Sequence, residues 1–127
     1  GLEGIVEYLG PRYDKEKAEI MHDSDIFIFP TKTKWECFPT VILEAMQFGL
    51  PVISTREAAI PEIIDDGITG FLVEKNSPKQ IAEKLEILIN NPVLRESIGN
   101  AGRKKYKEKY TLQRFEENML TVFKSII

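Results

Sequence analysis

Runs of apolar residues in the first 75 positions are short and strand-like, whereas beyond them the apolar positions recur at helical spacing. Ile5-Val6-Glu7-Tyr8-Leu9-Gly10 reads as a short strand closed by a Gly-Pro turn. Asp14 is placed as the N-cap of a helix whose Ala18, Ile20 and Met21 form an apolar stripe through about His22. Ile26 to Phe29 is apolar throughout, as in a parallel strand covered on both faces, and Pro30 ends it. A polar loop, Pro30 to Phe38, leads into an amphipathic helix, Pro39 to Phe48. Gly49 stops that helix, and Pro51 opens the strand Val52 to Ser54. Pro61 to Ile64 forms one helical turn, and Asp66-Gly67 and Thr69-Gly70 punctuate the approach to a fourth strand, Phe71-Leu72-Val73. Ser77 then caps a helix carrying Ile81, Leu85, Leu88 and Ile89, with Pro78 at its first position. Pro92 starts another, expected to be interrupted near Gly99 and Gly102. Thr111 caps the last, along which Leu112, Phe115, Met119, Val122 and Ile126 step by three or four. Strands alternating with helices predict a single α/β domain over residues 1–127.

Composition narrows what such a domain can bind. With 127 residues there is room for one core, and 43% hydrophobic with 29% charged content is ordinary for a globular chain. A net charge of -3 argues against nucleic acid as the main partner, since a phosphate backbone selects clustered positive charge. The basic run Arg103, Lys104, Lys105, Lys107 and Lys109 is broken by Glu108 and reads as a solvated helix face. One cysteine excludes an internal disulfide and fits a reducing compartment. No apolar run approaches the ~18 residues of a membrane span and no signal peptide opens the chain, so a cytoplasmic location is expected.

The candidate chemistry lies at Glu36 and Glu44, which bracket the start of the helix after the first long strand. In open α/β sheets ligands bind outside the carboxyl ends of the strands, against helix N-termini. On one continuous helix, eight steps would separate the two glutamates by about 80° and ~12 Å. That exceeds the roughly 5–9.5 Å of a glycoside-hydrolysing carboxylate pair and suits two grips on an extended ligand. N–H groups of the first turn, at Thr40, Val41 and Ile42, would face an anion between them. Spacing alone leaves open that the pair merely decorates a surface helix.

The segment Glu36-Cys37-Phe38-Pro39-Thr40-Val41-Ile42-Leu43-Glu44-Ala45-Met46, followed by Gly49-Leu50-Pro51-Val52-Ile53, resembles the E-x7-E signature of retaining GT-B glycosyltransferases of group 1 (family 4). Ser24 to Pro30, Pro61 to Ile64 and Asp66 to Val73 extend the likeness, which runs in register from about Val6 to Tyr110. It implies a parallel Rossmann-like sheet with flanking helices, part of the C-terminal domain of a GT-B fold, with the C-terminal helices packed on it. The implied ligand is a UDP- or GDP-sugar. Glu36 would contact donor-sugar hydroxyls near the reacting carbon as the catalytic residue, and the N–H groups of Cys37 and Phe38 would reach the same sugar across Pro39. Thr40 and Val41 would meet the diphosphate, and Glu44 the ribose hydroxyls. Neither a metal nor another cofactor is implied. Polysaccharide biosynthesis is the family's commonest use, and in the full enzyme the protein could lie peripherally at the inner membrane face.

The pattern is broken at two places: Cys37 stands where the family usually has glycine, and Glu57-Ala58-Ala59 replaces a glycine pair ahead of Pro61-Glu62. The family's preceding strands, with their diphosphate-binding Gly-Arg and Lys, and its N-terminal acceptor domain have no counterpart here. The isolated chain is therefore expected to be inactive, with Lys32 and Lys34 as solvated loop lysines. In the doubly wound order the strand at Ile26–Phe29 would lose the neighbours on one side and present an unpaired central edge. Either Val6–Leu9 re-pairs beside it, or two chains join edges as a homodimer, which is the non-catalytic alternative. The last helix should be under-packed.

Other residues carry weaker signals. Asp23-Ser24-Asp25 and His22 precede their strand, at the wrong end of the sheet for a site. Trp35 and Phe38 can stack on a ligand or anchor the loop to the core, and Glu62 fits a carboxylate at a helix start.

Overall fold

The computed structural model describes all 127 residues. Helix α1 (Asp14–His22) precedes strand β1 (Phe27–Phe29), which leads through a loop to α2 (Thr40–Gln47) and β2 (Val52–Thr55). The single turn α3 (Ile60–Ile63) connects to β3 (Gly70–Val73), and α4 (Pro78–Asn90), α5 (Pro92–Lys109) and α6 (Leu112–Ile126) complete the chain. The strands form one parallel sheet in the order β1-β2-β3, with Phe27 opposite Val52 and Val52 opposite Gly70.

Period-two alternation sorts the strand residues onto two faces. Val52 and Leu72 pack with Ile42, Ala45 and Met46 of α2 and with Ile60 and Ile63 of α3, while Phe27 and Phe29 border them. Ile53, Phe71 and Val73 point the other way, onto Leu88 of α4 and Ile98 of α5, with Ile28 alongside. Both faces are covered, which is why the strands read as unbroken apolar runs. Each fully buried aliphatic side chain contributes about 1.5–3 kcal/mol of hydrophobic stabilisation.

Helix α5 serves both layers. Leu94 and Ile98 in its first half pack on the α4 face, and Tyr106 in its second half packs on the α2 face. Between them the helix passes the amino ends of β2 and β3, with Gly99 against Gly49 and Pro51, and Gly102 against Thr69 and Met46. The expected interruption at these glycines does not occur: α5 is continuous for 18 residues. The missing side chains serve close packing there, not a break.

Several helix ends match the sequence reading. The Ser77 and Thr111 side chains accept N–H bonds from Gln80 and Arg114, Pro92 opens α5, and Gly49 takes φ +72 just past α2; Asn91, which the sequence did not single out, also caps α5 by accepting from the Leu94 N–H. Asp14 is not an N-cap. Tyr13 holds that position without a side-chain bond, and Asp14 is the first helical residue, at φ 47.

The strand expected at Ile5–Gly10 is absent, and Val6–Leu9 does not pair with β1. Gly4 and Gly10 bend the backbone with positive φ, and the Ile5 and Val6 N–H groups turn back onto the Leu2 carbonyl. A single Glu3–Val6 bridge remains. The outer edge of β1 is consequently unpaired within the chain. Helix α6 buries none of its residues, and Leu112, Phe115, Leu120, Val122, Phe123 and Ile126 are all exposed.

Candidate functional site

The loop after β1 runs along the carboxyl end of the sheet before α2 begins. Its first residues are tied down by β2: the Ser54 hydroxyl donates to the Phe29 carbonyl and the Thr55 hydroxyl to the Thr31 carbonyl, both at 2.7 Å. Further out the bonds become local, from the Thr33 N–H to the Thr31 hydroxyl and from the Trp35 N–H to the Thr33 hydroxyl. Trp35 is 90% exposed, so it does not anchor the loop to the core. Lys32, Lys34 and Cys37 are likewise exposed, and Glu36 is half-buried in the loop, outside the helix.

Pro39, buried, is the N-cap of α2, and it has no side-chain acceptor to offer the first turn. No acidic residue lies in that turn. The N–H groups of Thr40 and Val41 find no acceptor within the chain, whereas the Ile42 N–H donates to the Pro39 carbonyl at 3.1 Å. Two donors, not three, therefore face outward at the positive end of the helix dipole.

Glu44 lies in the second turn of α2. Its Oε2 accepts from Lys17 Nζ of α1 at 2.6 Å, with both side chains more than a third exposed or nearly so (40% and 34%). Beside this pair a cavity of about 260 Å³ opens between α1, α2 and the turn at Leu9–Arg12. Its floor is apolar, with Met21, Phe27, Val41 and Leu50, and Arg12 and Lys17 bring the positive charge. Lys17 and Arg12 were not legible as site residues, because nothing in the local pattern couples α1 to the middle of α2.

Across the site stands the end of α5. Phe38 meets Tyr110 with ring centroids 5.9 Å apart and planes at 58°. The Tyr110 hydroxyl donates to the Glu62 carbonyl at 3.2 Å, and Lys105 Nζ donates to the same carbonyl at 3.1 Å and to Asp65 Oδ1 at 3.0 Å. Lys105 is buried, unlike the rest of its basic run, so one of the five lysines and arginines expected on a solvated face is a structural tie. Partial burial, with Asp65 and then Glu62 nearby, raises the Tyr110 hydroxyl pKa above the usual 10.0 and keeps it a donor. Asp23, Asp25 and His22 lie at the amino end of β1, away from this site.

The chain has clear relatives. A family model described as glycosyl transferases group 1 matches residues 1–105. The capsular polysaccharide biosynthesis glycosyltransferase CapM of Staphylococcus aureus is 38% identical over 116 residues, which are 91% of this chain and 30% of that protein. The crystal structure of the C-terminal domain of a glycosyl transferase group 1 family protein, LpcC of Francisella tularensis, superposes with a TM-score of 0.73 at 34% identity, over 85% of this chain and 53% of that one. Anabaena HepE in complex with UDP superposes with a TM-score of 0.90 over 98% of this chain and 33% of that one, and at 22% identity this likeness concerns the fold. The chain spans about a third of the length of curated relatives such as CapM, at 30%. With the family model covering most of its residues and a parallel α/β sheet shared with solved members, the chain belongs to the glycosyl transferases group 1 family.

Proposed function

We propose that this chain is the donor-binding part of a retaining GT-B glycosyltransferase, recognising a nucleotide-diphospho-sugar and acting within a longer enzyme. The observation that carries this reading is the open head of α2, where the Thr40 and Val41 N–H groups lack acceptors between Glu36 and Glu44. UDP and UDP-glucose are bound in the HepE structures that share the fold, which supports the same ligand class here.

In this reading the diphosphate meets the Thr40 and Val41 N–H groups, and Glu44 accepts from the ribose hydroxyls. Glu36 and the N–H groups of Cys37 and Phe38 grip the sugar. As the bond between the anomeric carbon and the diphosphate breaks, negative charge gathers on the leaving oxygen. Preoriented N–H donors at a helix start stabilise charge where it develops, and they do not have to reorganise during the reaction. The isolated chain binds donor without transferring it, because the acceptor site lies elsewhere.

Titration of UDP, GDP and UDP-glucose, followed by amide NMR shifts, tests the reading, with Glu44→Ala as the control. Binding by the parent and its loss in the variant is expected. Parent and variant behaving alike at millimolar ligand would sink the ribose assignment. One observation favours a second reading, a non-catalytic module dimerising edge to edge: the outer edge of β1 is unpaired. Sedimentation velocity showing a dimer with no ligand affinity would select it.

A further inference from the structure

The elbow between α5 and α6 joins parts of the molecule far apart in sequence. The Glu62 carbonyl receives two donors from α5 and its end, Lys105 Nζ and the Tyr110 hydroxyl, and Lys105 also reaches Asp65. Lys105 is buried, so its two bonds form in surroundings where an unmade bond is costly, while the Tyr110 hydroxyl bond is exposed. They bolt the carboxyl end of α5 to the turn after β2. The Tyr110 ring, held from behind, becomes a fixed surface.

Phe38 rests on that surface in the tilted arrangement that aromatic pairs favour. Beyond Thr31, which β2 ties down, the loop has no comparable support, since the Thr31 and Thr33 bonds reach only two residues ahead and Trp35 and Cys37 face solvent. Pro39 fixes the backbone on the other side of Phe38, buried at the head of α2. Between Thr33 and Pro39, Phe38 pairs ring to ring with Tyr110 outside the loop.

We infer that Tyr110 is a positioning residue for the donor loop: its ring holds Phe38, and through Phe38 the Cys37–Phe38 backbone, at the sugar end of the site. The geometry stands by itself, while its functional consequence rests on the donor-site reading given above. A loop already ordered loses less freedom when a ligand binds. Removing the ring should weaken the sugar contacts and leave the diphosphate contacts at Thr40 and Val41 in place. Sugar-nucleotide affinity should therefore suffer more than nucleotide affinity.

The experiment compares the parent with Tyr110→Leu and Tyr110→Phe. Cys37, the single cysteine and exposed, reports loop order through the rotational rate of a nitroxide spin label attached to it, with no donor present. In Tyr110→Leu this rate should rise about fivefold or more, because local order held by a tertiary contact is lost with it. UDP-glucose affinity should fall by about fivefold relative to UDP, the factor that one hydrogen bond of ordinary strength carries. Tyr110→Phe keeps the ring but loses the hydroxyl bond to the Glu62 carbonyl, so both quantities should fall between those of the parent and Tyr110→Leu. An unchanged Cys37 rate in a folded Tyr110→Leu variant would overturn the inference, as would equal losses for UDP and UDP-glucose. If Tyr110→Leu does not fold, Phe38→Leu removes the same contact from an exposed residue, and the affinity ratio decides in the same way. A parent that binds neither ligand removes the donor reading, and the Cys37 rates then still decide whether Tyr110 orders the loop.

Discussion

A methyl group added at Gly99 has nowhere to go. Its Cβ would lie 2.0 Å from the Gly49 carbonyl oxygen, 3.1 Å from the Gly49 carbonyl carbon and 3.4 Å from Pro51 Cδ. Ordinary contact begins near 3.4 Å, so α5 and the Gly49 carbonyl must separate by 1.4 Å (3.4 minus 2.0). The obstructing atoms are backbone, and Gly49 is itself fixed at φ +72 as the stop after α2. Neither can yield as a side chain would. Overpacking of this kind costs about 1–3 kcal/mol, and an obstruction by backbone belongs at the upper end of that range. Alanine returns about 1 kcal/mol through helix propensity. The expected net destabilisation for Gly99→Ala is therefore about 2 kcal/mol, a fall in Tm of about 6–10 °C for a chain of this size.

Gly102→Ala supplies the internal control. There the added Cβ would lie 3.2 Å from the Thr69 carbonyl oxygen and 3.7 Å from Met46 Cγ, which requires a shift of only a few tenths of an ångström. The propensity gain of about 1 kcal/mol should roughly cancel that cost. Thermal and urea unfolding followed by circular dichroism would measure both variants. Gly99→Ala as stable as the parent, or Gly102→Ala the worse of the two, would refute the close-packing account of α5.

Lys105→Met keeps the buried stem but deletes both donated bonds, and a loss of about 1–3 kcal/mol is expected in urea unfolding. Ala58 sits at φ 50, a left-handed conformation that costs non-glycine residues about 1–2 kcal/mol, so Ala58→Gly should raise stability by up to about 1 kcal/mol once the freer unfolded chain is counted. Burial raises the Asp66 carboxyl pKa, but the Leu72 N–H, the Arg56 guanidinium and Lys84 together outweigh it and set it below 3.8. A depressed carboxylate stabilises the fold above its unfolded pKa and loses that contribution as pH falls through the folded value. Acid unfolding below about pH 4 should therefore be less steep in Asp66→Asn than in the parent.

Elements that depend on local pattern were legible in the sequence. β1, β2 and β3 announced themselves as apolar runs because both of their faces are covered, and Ser77 and Thr111 announced their helices because a cap acts within three residues. Gly99 and Gly102 were misread because glycine has two uses, conformational freedom and small size, and only the facing backbone of Gly49 and Thr69 shows which applies. Val6 and Leu9 have strand-forming side chains, but a strand also needs a neighbour, and sequence does not show whether one is available. The buried Lys105 was read with its charged run for the same reason. Its partners lie 40 and 43 positions away, where no periodicity reaches.

The two ends of the candidate site differ in how firmly they are held. The head of α2 is backed by Ile42, Ala45 and Met46 in the core, so the Thr40 and Val41 donors are in place before a ligand arrives. Glu44 is also in place, but it is engaged by Lys17. A partly exposed pair of this kind contributes only about 0–1 kcal/mol, so exchanging Lys17 for the ribose hydroxyls of the proposed donor would cost little. Released, the Lys17 ammonium lies on the rim of the cavity that Arg12 also borders, and it can pair with ligand anionic charge. If that exchange operates, Lys17→Met should weaken UDP more than uridine, because the ribose loses a competitor while the diphosphate loses a cation. Equal effects on the two ligands would show that Lys17 does no more than hold Glu44.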